Sequence, residues 1–267
     1  VVTGAASGVG KAIAGVLVRR GDTVVIADID AAGARRAADE LTARGPGSAI
    51  PAELDIRDAD AVTALFHKVR DDTGRLDLVF NNAGVAIRGP LEKLTPDHWR
   101  AAIDINLRGV INGVQAAYPI MLEQSSGHIV NTASLAGLVA MPMGIPYTTT
   151  KHAIVGLSLA LRAEAAARGV NVSVICSGYV DTPMLTNANP GLPDPMAGTE
   201  NRLKQRFAPY PPEKLARTVI RGVDRNRALI VAPLSARLVW RAARLSPAGT
   251  TRVVARGVRR PAGSAQP

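Results

Sequence analysis

The sequence predicts an α/β fold in which a parallel sheet carries helices on both faces. Two observations lead there. Short apolar runs rich in Val and Ile alternate with Ala-rich stretches of helical length, the pattern of strands buried on both sides. The first of these runs passes straight into a glycine-rich turn and then a helical stretch, as a β-α unit does. Hydrophobic residues make up 47% of the 267 residues and aromatics only 3%, so the core is expected to be Ala, Val, Leu and Ile. A chain of this length suits one large domain.

The elements follow in order. The chain opens at Val1 inside a strand fragment, so residues upstream are expected, and no secretory signal is in view. Strands are expected at 24–27, 78–81, 128–132, 171–176 and 229–231, with a further strand end at 52–54. Helices are expected near 9–20, 31–44, 58–73, 96–123, 148–168 and 212–221. Residues 186–212 hold six prolines and two glycines, and read as a lid or inserted segment or as a plain surface loop. The unit therefore spans 1–232, with a tail at 233–267.

The turn reads T-G-A-A-S-G-V-G, with Gly4, Ser7, Gly8, Val9 and Gly10 opening the first helix. Glycine permits positive φ and close backbone approach. A helix N-terminus offers unpaired N–H groups and a positive dipole end to a pyrophosphate. Asp28 ends the second strand, where a carboxylate would bond ribose hydroxyls and repel a 2′-phosphate. It could equally be a turn or N-cap residue. Ile29 follows it rather than Arg, and Ala5 and Ala6 bring no cation to the turn, so NAD is expected over NADP. Asp55 and Ile56 follow the next strand end, where the carboxylate could accept an adenine amino group. N-N-A-G at 81–84 brings Asn82, Ala83 and Gly84 to the end of another strand. Tyr147 and Lys151 stand four apart beside a helical stretch, so a phenol and an ammonium can face one site. A nearby cation lowers a phenol's pKa from about 10 and suits it to proton transfer near neutrality. That spacing alone is also that of a solvated helix face.

Taken in this order, the glycine turn, the acid after the second strand, N-N-A-G, Asn106 in D-I-N-L-R-G, Ser134 in N-T-A-S, and Tyr147 with Lys151 resemble the short-chain dehydrogenase/reductase family. The resemblance covers about residues 1–184. It implies a doubly wound, Rossmann-type sheet of about seven parallel strands, a nicotinamide cofactor, no metal, and self-association as a dimer or tetramer. It also implies that Tyr147 is the general acid/base and that Lys151 lowers its pKa and holds the nicotinamide ribose. Ser134 would orient the substrate oxygen. Asn106 would kink its helix and hold a water that joins Lys151 to solvent. Ser134 as a strand-end cap and Asn106 as a helix-interior polar residue are the plainer readings. Two departures stand out. Ser177 replaces the family's usual proline, while Gly178, Val180 and Thr182 remain in place for the nicotinamide; Thr148–Thr150 fill the space between Tyr and Lys.

Substrate candidates are Val85, Leu135, Met141, Met143, Ile145, Tyr179 and Met184, a largely apolar set without a charge cluster. They suggest a lipophilic alcohol or ketone of steroid, retinoid or fatty type. A polar sugar or acyl-thioester substrate, or a cofactor-binding scaffold without turnover, are the alternatives.

The net charge of +10 is local: residues 225–267 carry nine arginines and no acid, and the remainder is nearly neutral. That distribution argues against a nucleic-acid groove. In the tail, Arg237, Arg241 and Arg244 share helical spacing beside Leu234, Leu238 and Leu245; Arg252, Arg256 and Arg259 repeat it around Val253, Val254 and Val258. This suggests peripheral contact with an anionic membrane, or else a solvated or subunit-packing helix. A single cysteine, Cys176, fits a reducing, cytoplasmic setting.

Overall fold

The computed structural model describes residues 1–196 and 209–258. Seven strands form a single parallel sheet: β1 (Val2–Thr3), β2 (Thr23–Asp28), β3 (Ser48–Glu53), β4 (Leu78–Asn81), β5 (Gly127–Thr132), β6 (Val170–Ser177) and β7 (Leu229–Ala232), in the spatial order β3-β2-β1-β4-β5-β6-β7. Chain order reverses between β1 and β4, so their carboxyl ends open a crevice, where ligands bind in open sheets of this type. β3 is longer than its apolar signal suggested. It lies at the sheet edge, where half-exposed residues and Pro51 are tolerated.

Alternate strand residues face opposite layers. Val79 and Ile129 join Phe66, Ile120, Met121 and Ile154 on one side. Phe80 and Val130 join Ile13, Leu17, Leu41, Leu215 and Val219 on the other. The first layer comes from α3 (Ala59–Thr73), α5 (Gly109–Glu123) and α6 (Ile145–Ala165); the second from α1 (Gly8–Arg20), α2 (Ala31–Thr42) and α7 (Pro212–Asp224). In chain order, α4 (Pro96–Ala101) comes between α3 and α5.

Two helices differ from expectation where the site lies. The stretch 96–123 is interrupted at Ala102–Arg108 by a wide turn with bonds five residues apart. α6 starts at Ile145, three residues early, because Pro146 is well placed in a first turn whose N–H groups need no helical partner. Tyr147 therefore lies inside the helix.

The tail forms α8 (Leu234–Leu245) and α9 (Pro247–Val258), and Arg259 falls outside the described residues. Its expected arginine stripe is divided. Arg237 Nε turns inward to donate to the Val231 carbonyl at 2.6 Å, and Arg244 lies over the Trp240 ring at 5.7 Å. Trp240 itself packs on the core. Leu234, Leu238, Leu245 and Val253 stay exposed. Among the described residues, no helix is long and apolar enough to cross a membrane.

Candidate active site

The ends of β1 and β4 are bound together by side chains. Thr3 Oγ1 accepts from the backbone N–H groups of Asn82 and Ala83 at 3.0 and 3.1 Å, and Asn82 Nδ2 donates to the Thr3 carbonyl at 3.0 Å. Gly4 turns here with φ +64°; a Cβ on it would lie 2.7 Å from Ala83 Cα. No larger residue lets the turn pack against β4 this closely.

The helix that follows is left uncapped. Ser7 makes no side-chain cap bond and the first turn of α1 holds no acid. By contrast, Asp30 caps α2 through Gly33 N and Asp58 caps α3 through Asp60 N and Ala61 N. The unpaired N–H groups of α1 and its dipole thus fit a pyrophosphate. Gly10 packs on the Gly4 carbonyl and Asn82, and Val9 packs at the margin of the α1 core. Asp28 closes the other side: Oδ2 accepts from Ala6 N at 3.0 Å and Oδ1 from Asp30 N at 3.1 Å. Ile29 beside it is 63% exposed. Thr182 reaches the same loop, its methyl 3.2 Å from where a Gly8 Cβ would stand. Gly178 N donates to the Ala232 carbonyl at 2.8 Å, and Val180 is buried where it bridges Tyr210.

Asp55 has a partner the sequence did not announce. Arg57 Nε approaches both carboxylate oxygens, at 3.0 and 2.9 Å, and the guanidinium holds the carboxyl below its usual range. Ile56 is buried against Gly109. Asn112 Nδ2 holds this loop through the Ile56 carbonyl at 2.9 Å.

At the end of β5, Ser134 Oγ accepts from Ala136 N at 3.2 Å and donates to the Ser177 carbonyl at 3.5 Å, and its hydroxyl is near enough to the Tyr147 phenol to favour the phenolate. Lys151, one turn further along α6, is 3% exposed. Its Nζ donates to the Thr132 carbonyl at 2.9 Å and lies 5.5 Å from the Tyr147 ring centroid. Burial pulls Lys151 down from 10.5 to about 8. Tyr147 moves the opposite way from expectation. Desolvation raises its pKa, and the nearby Ser134 hydroxyl opposes the rise without cancelling it. The reason is geometric: Nζ sits over the ring and bonds a carbonyl, so in the protein alone the ammonium does not offset the loss of water around the phenol.

Asn106 occupies the wide turn, where its side chain clamps Val85. Oδ1 accepts from Val85 N at 2.8 Å and Nδ2 donates to Val85 O at 3.0 Å. The amide's primary bonds go to Val85, so the side chain positions the loop after N-N-A-G. Gly84 allows this approach, since a Cβ there would lie 2.8 Å from Asn106 Oδ1 and 3.6 Å from Lys151 Nζ.

The apolar candidates divide. Met143 and Ile145 are each 38% exposed ahead of Tyr147, with Met143 at φ +60°. Met141 lies against Gly144, and Tyr179 and Met184 are partly buried on the segment after β6. Leu135 packs against the core instead.

Several supporting residues, some of them inside N-N-A-G and N-T-A-S, find partners that their motifs do not specify. Asn81 Nδ2 donates to Asn131 Oδ1 at 2.9 Å, Asn131 Nδ2 to Ser158 Oγ at 3.0 Å, and Ser158 to the Ile154 carbonyl at 2.7 Å. Thr132 holds Asn82 through its hydroxyl as well as Lys151 through its carbonyl. Among the described residues, no group of His, Cys, Asp or Glu could hold a metal ion.

Known proteins share the family pattern and the fold. Residues 1–193 match the family described as short chain dehydrogenase. The oxidoreductase EphD of Mycobacterium tuberculosis is 35% identical over 233 residues, 85% of this chain; the chain spans only 39% of that relative's length. The oxidoreductase SadH of the same species is 32% identical over 261 residues, covering 97% of this chain and 94% of SadH. A short-chain dehydrogenase/reductase structure from Burkholderia phymatum in complex with NAD superposes with a TM-score of 0.81 at 29% identity, over 99% of this chain and 96% of that one. Family match, full-length similarity and a shared seven-stranded sheet agree, and the chain belongs to the short-chain dehydrogenase family of oxidoreductases.

Proposed function

We propose that this enzyme interconverts a secondary alcohol and a ketone with NAD as the preferred cofactor, and that its substrate is largely apolar. The observation that carries this reading is a buried Lys151 with its Nζ 5.5 Å from the Tyr147 ring and the Ser134 hydroxyl beside them, next to an uncapped glycine turn. When bound, the nicotinamide supplies the hydride acceptor or donor.

The chain's own residues do the rest. Ser134 Oγ orients the substrate oxygen. In oxidation, Tyr147 Oη takes the hydroxyl proton as the C–H bond gives up its hydride; in reduction it returns that proton. Lys151, at about 8, exchanges a proton close to neutral pH. Asn106 holds Val85 and so keeps the loop against the site. Positioning of the reacting groups contributes much of the rate, and proton transfer adds ~10²–10⁴-fold.

The NAD preference rests on Asp28 with Ile29, which leave a 2′-phosphate facing a carboxylate and no cation. Self-association as a dimer or tetramer, a cytoplasmic setting and contact of α8 and α9 with anionic lipid belong to the same proposal. Tyr147→Phe is the direct test, assayed on a panel of aliphatic and cyclic ketones. Turnover should fall by at least ~10²-fold, while NADH still binds, and more tightly than NADPH. Unimpaired turnover would refute the proton-transfer role, and tighter NADPH binding the role of Asp28.

A further inference from the structure

The loop that follows Gly84 carries an arginine whose charge is unmatched among the described residues. Arg88 is half-buried, and among the described residues it joins no ion pair. Its Nε is fully buried and has no hydrogen-bond partner there, and its Nη2 makes one long bond, 3.4 Å, to the Leu185 carbonyl. A guanidinium offers five N–H donors in a planar fork, and burying one without an anion is costly.

Its backbone is held firmly. Asn189 Oδ1 accepts from Arg88 N at 2.9 Å, and Asn189 Nδ2 donates to Arg88 O at 2.8 Å. Gly89 N donates to the Met143 carbonyl at 2.9 Å, which ties this loop to the segment entering α6 four residues before Tyr147. The side chain then crosses to residues 179–185, where its charge also bears on Tyr179. Arg88 therefore links the segment that leads into Tyr147, with Met143 and Ile145, to the segment after β6, with Tyr179 and Met184.

We propose that Arg88 binds an anionic end group of the substrate, a carboxylate, so that the enzyme acts on an apolar chain or ring that also carries an acid. The inference rests on the reading that the cleft beside Tyr147 is the substrate site. The fork geometry suits bidentate bonding to a carboxylate. The sequence pointed away from this, because no charge stands between Ser134 and Tyr147. The cation comes from the loop after N-N-A-G.

Calorimetric titration of the full chain, saturated with NAD, with octanoate and with octanamide tests it. The wild type should bind the carboxylate about 10-fold more tightly than the amide of the same length, in line with a charge-assisted bond. Arg88→Gln should bring that ratio to about 1, and Arg88→Lys should keep only part of it. A ratio near 1 in the wild type, no binding of either compound, or an unchanged ratio in Arg88→Gln would overturn the proposal. If Arg88→Gln does not fold, Arg88→Lys decides, and an undiminished ratio there counts against it. Tyr147→Phe should keep the wild-type ratio. Failure of the proton-transfer reading would appear in turnover, and failure of the anchor only in the ratio.

Discussion

Lys151 carries a charge that its surroundings disfavour. It is buried under α6 with the Thr132 carbonyl as its bonded acceptor, and desolvation brings it from 10.5 to about 8. Between those values the unfolded chain binds more protons than the folded one, so folding stability rises with pH across that window. Below about 8 the penalty is present in full, roughly 3 kcal/mol. Lys151→Met should therefore lose turnover and yet gain up to roughly 3 kcal/mol of stability at pH 7, with the difference shrinking as pH rises from 8 toward 10.5. Urea unfolding of both proteins at pH 7 and 9.5 measures it; an equal gap at both values would refute the cause given. A residue kept at this cost points to function rather than packing. Cys176, which feels the same ammonium, is pushed up to about 12 by burial and stays a thiol. Tyr147, Lys151 and Ser134 stand out in the chain because their order and spacing resemble a family pattern. Asn131, Ser158 and Thr132 do not, since each is an ordinary polar residue until folding sets it beside a partner.

At the scale of elements, the site depends on where helices begin and break. α6 begins early enough to contain Tyr147, and the wide turn at Ala102–Arg108 delivers Asn106 to Val85. Local sequence foreshadows the first through Pro146; the second follows from packing of that helix on α6 and the loop after β4. The proline-rich segment after β6 behaves as a clasp over residues 186–196. Asn189 is 1% exposed and sits at φ +51°. It bonds Arg88 N and O, and Asp194 Oδ1 at 3.0 Å. His98 Nε2 meets the Pro193 carbonyl at 2.9 Å on the same surface. Asn189→Ala would leave two backbone groups of Arg88 unpaired and put a Cβ-bearing residue without local bonding in the left-handed region. Each lost partner costs about 1–3 kcal/mol. Hydrogen exchange at the Arg88 amide should quicken ~10–100-fold, while the strands of the sheet remain protected. Unchanged exchange at Arg88 would show that the clasp does not depend on Asn189.

For the molecule as a whole, the reversal between β1 and β4 gathers Gly4, Asp28, Asn82 and Ser134 at one end of the sheet, although they span more than a hundred positions of sequence. The charged tail follows the carboxyl end of β7, where Pro233 and Ala236 lie against Gly178. Its inward Arg237 and core-packed Trp240 make deletion a poor test, because removal would uncover the sheet. Leu238 and Leu245, 57% and 88% exposed, can be changed instead. Replacing both with Gln should weaken co-sedimentation with phosphatidylserine vesicles and change stability by less than about 0.5 kcal/mol. Sedimentation that is absent in the wild type, or equal in the variant, would refute lipid contact.

The sequence by itself determined the α/β class, the order of its units, the glycine-rich turn and the four-residue spacing of Tyr147 and Lys151. These follow from local periodicity, from glycines that the backbone requires, and from spacing along one helix. Only the tertiary structure decided that Asp55 is paired with Arg57, that Asn106 clamps Val85, that burial outweighs Lys151 at the Tyr147 phenol, and that Arg88 Nε is buried without a hydrogen-bond partner among the described residues. Each depends on which residues distant in the chain share a small, poorly solvated volume. Hydrogen-bond partners and desolvation are properties of that volume, and no local pattern records them.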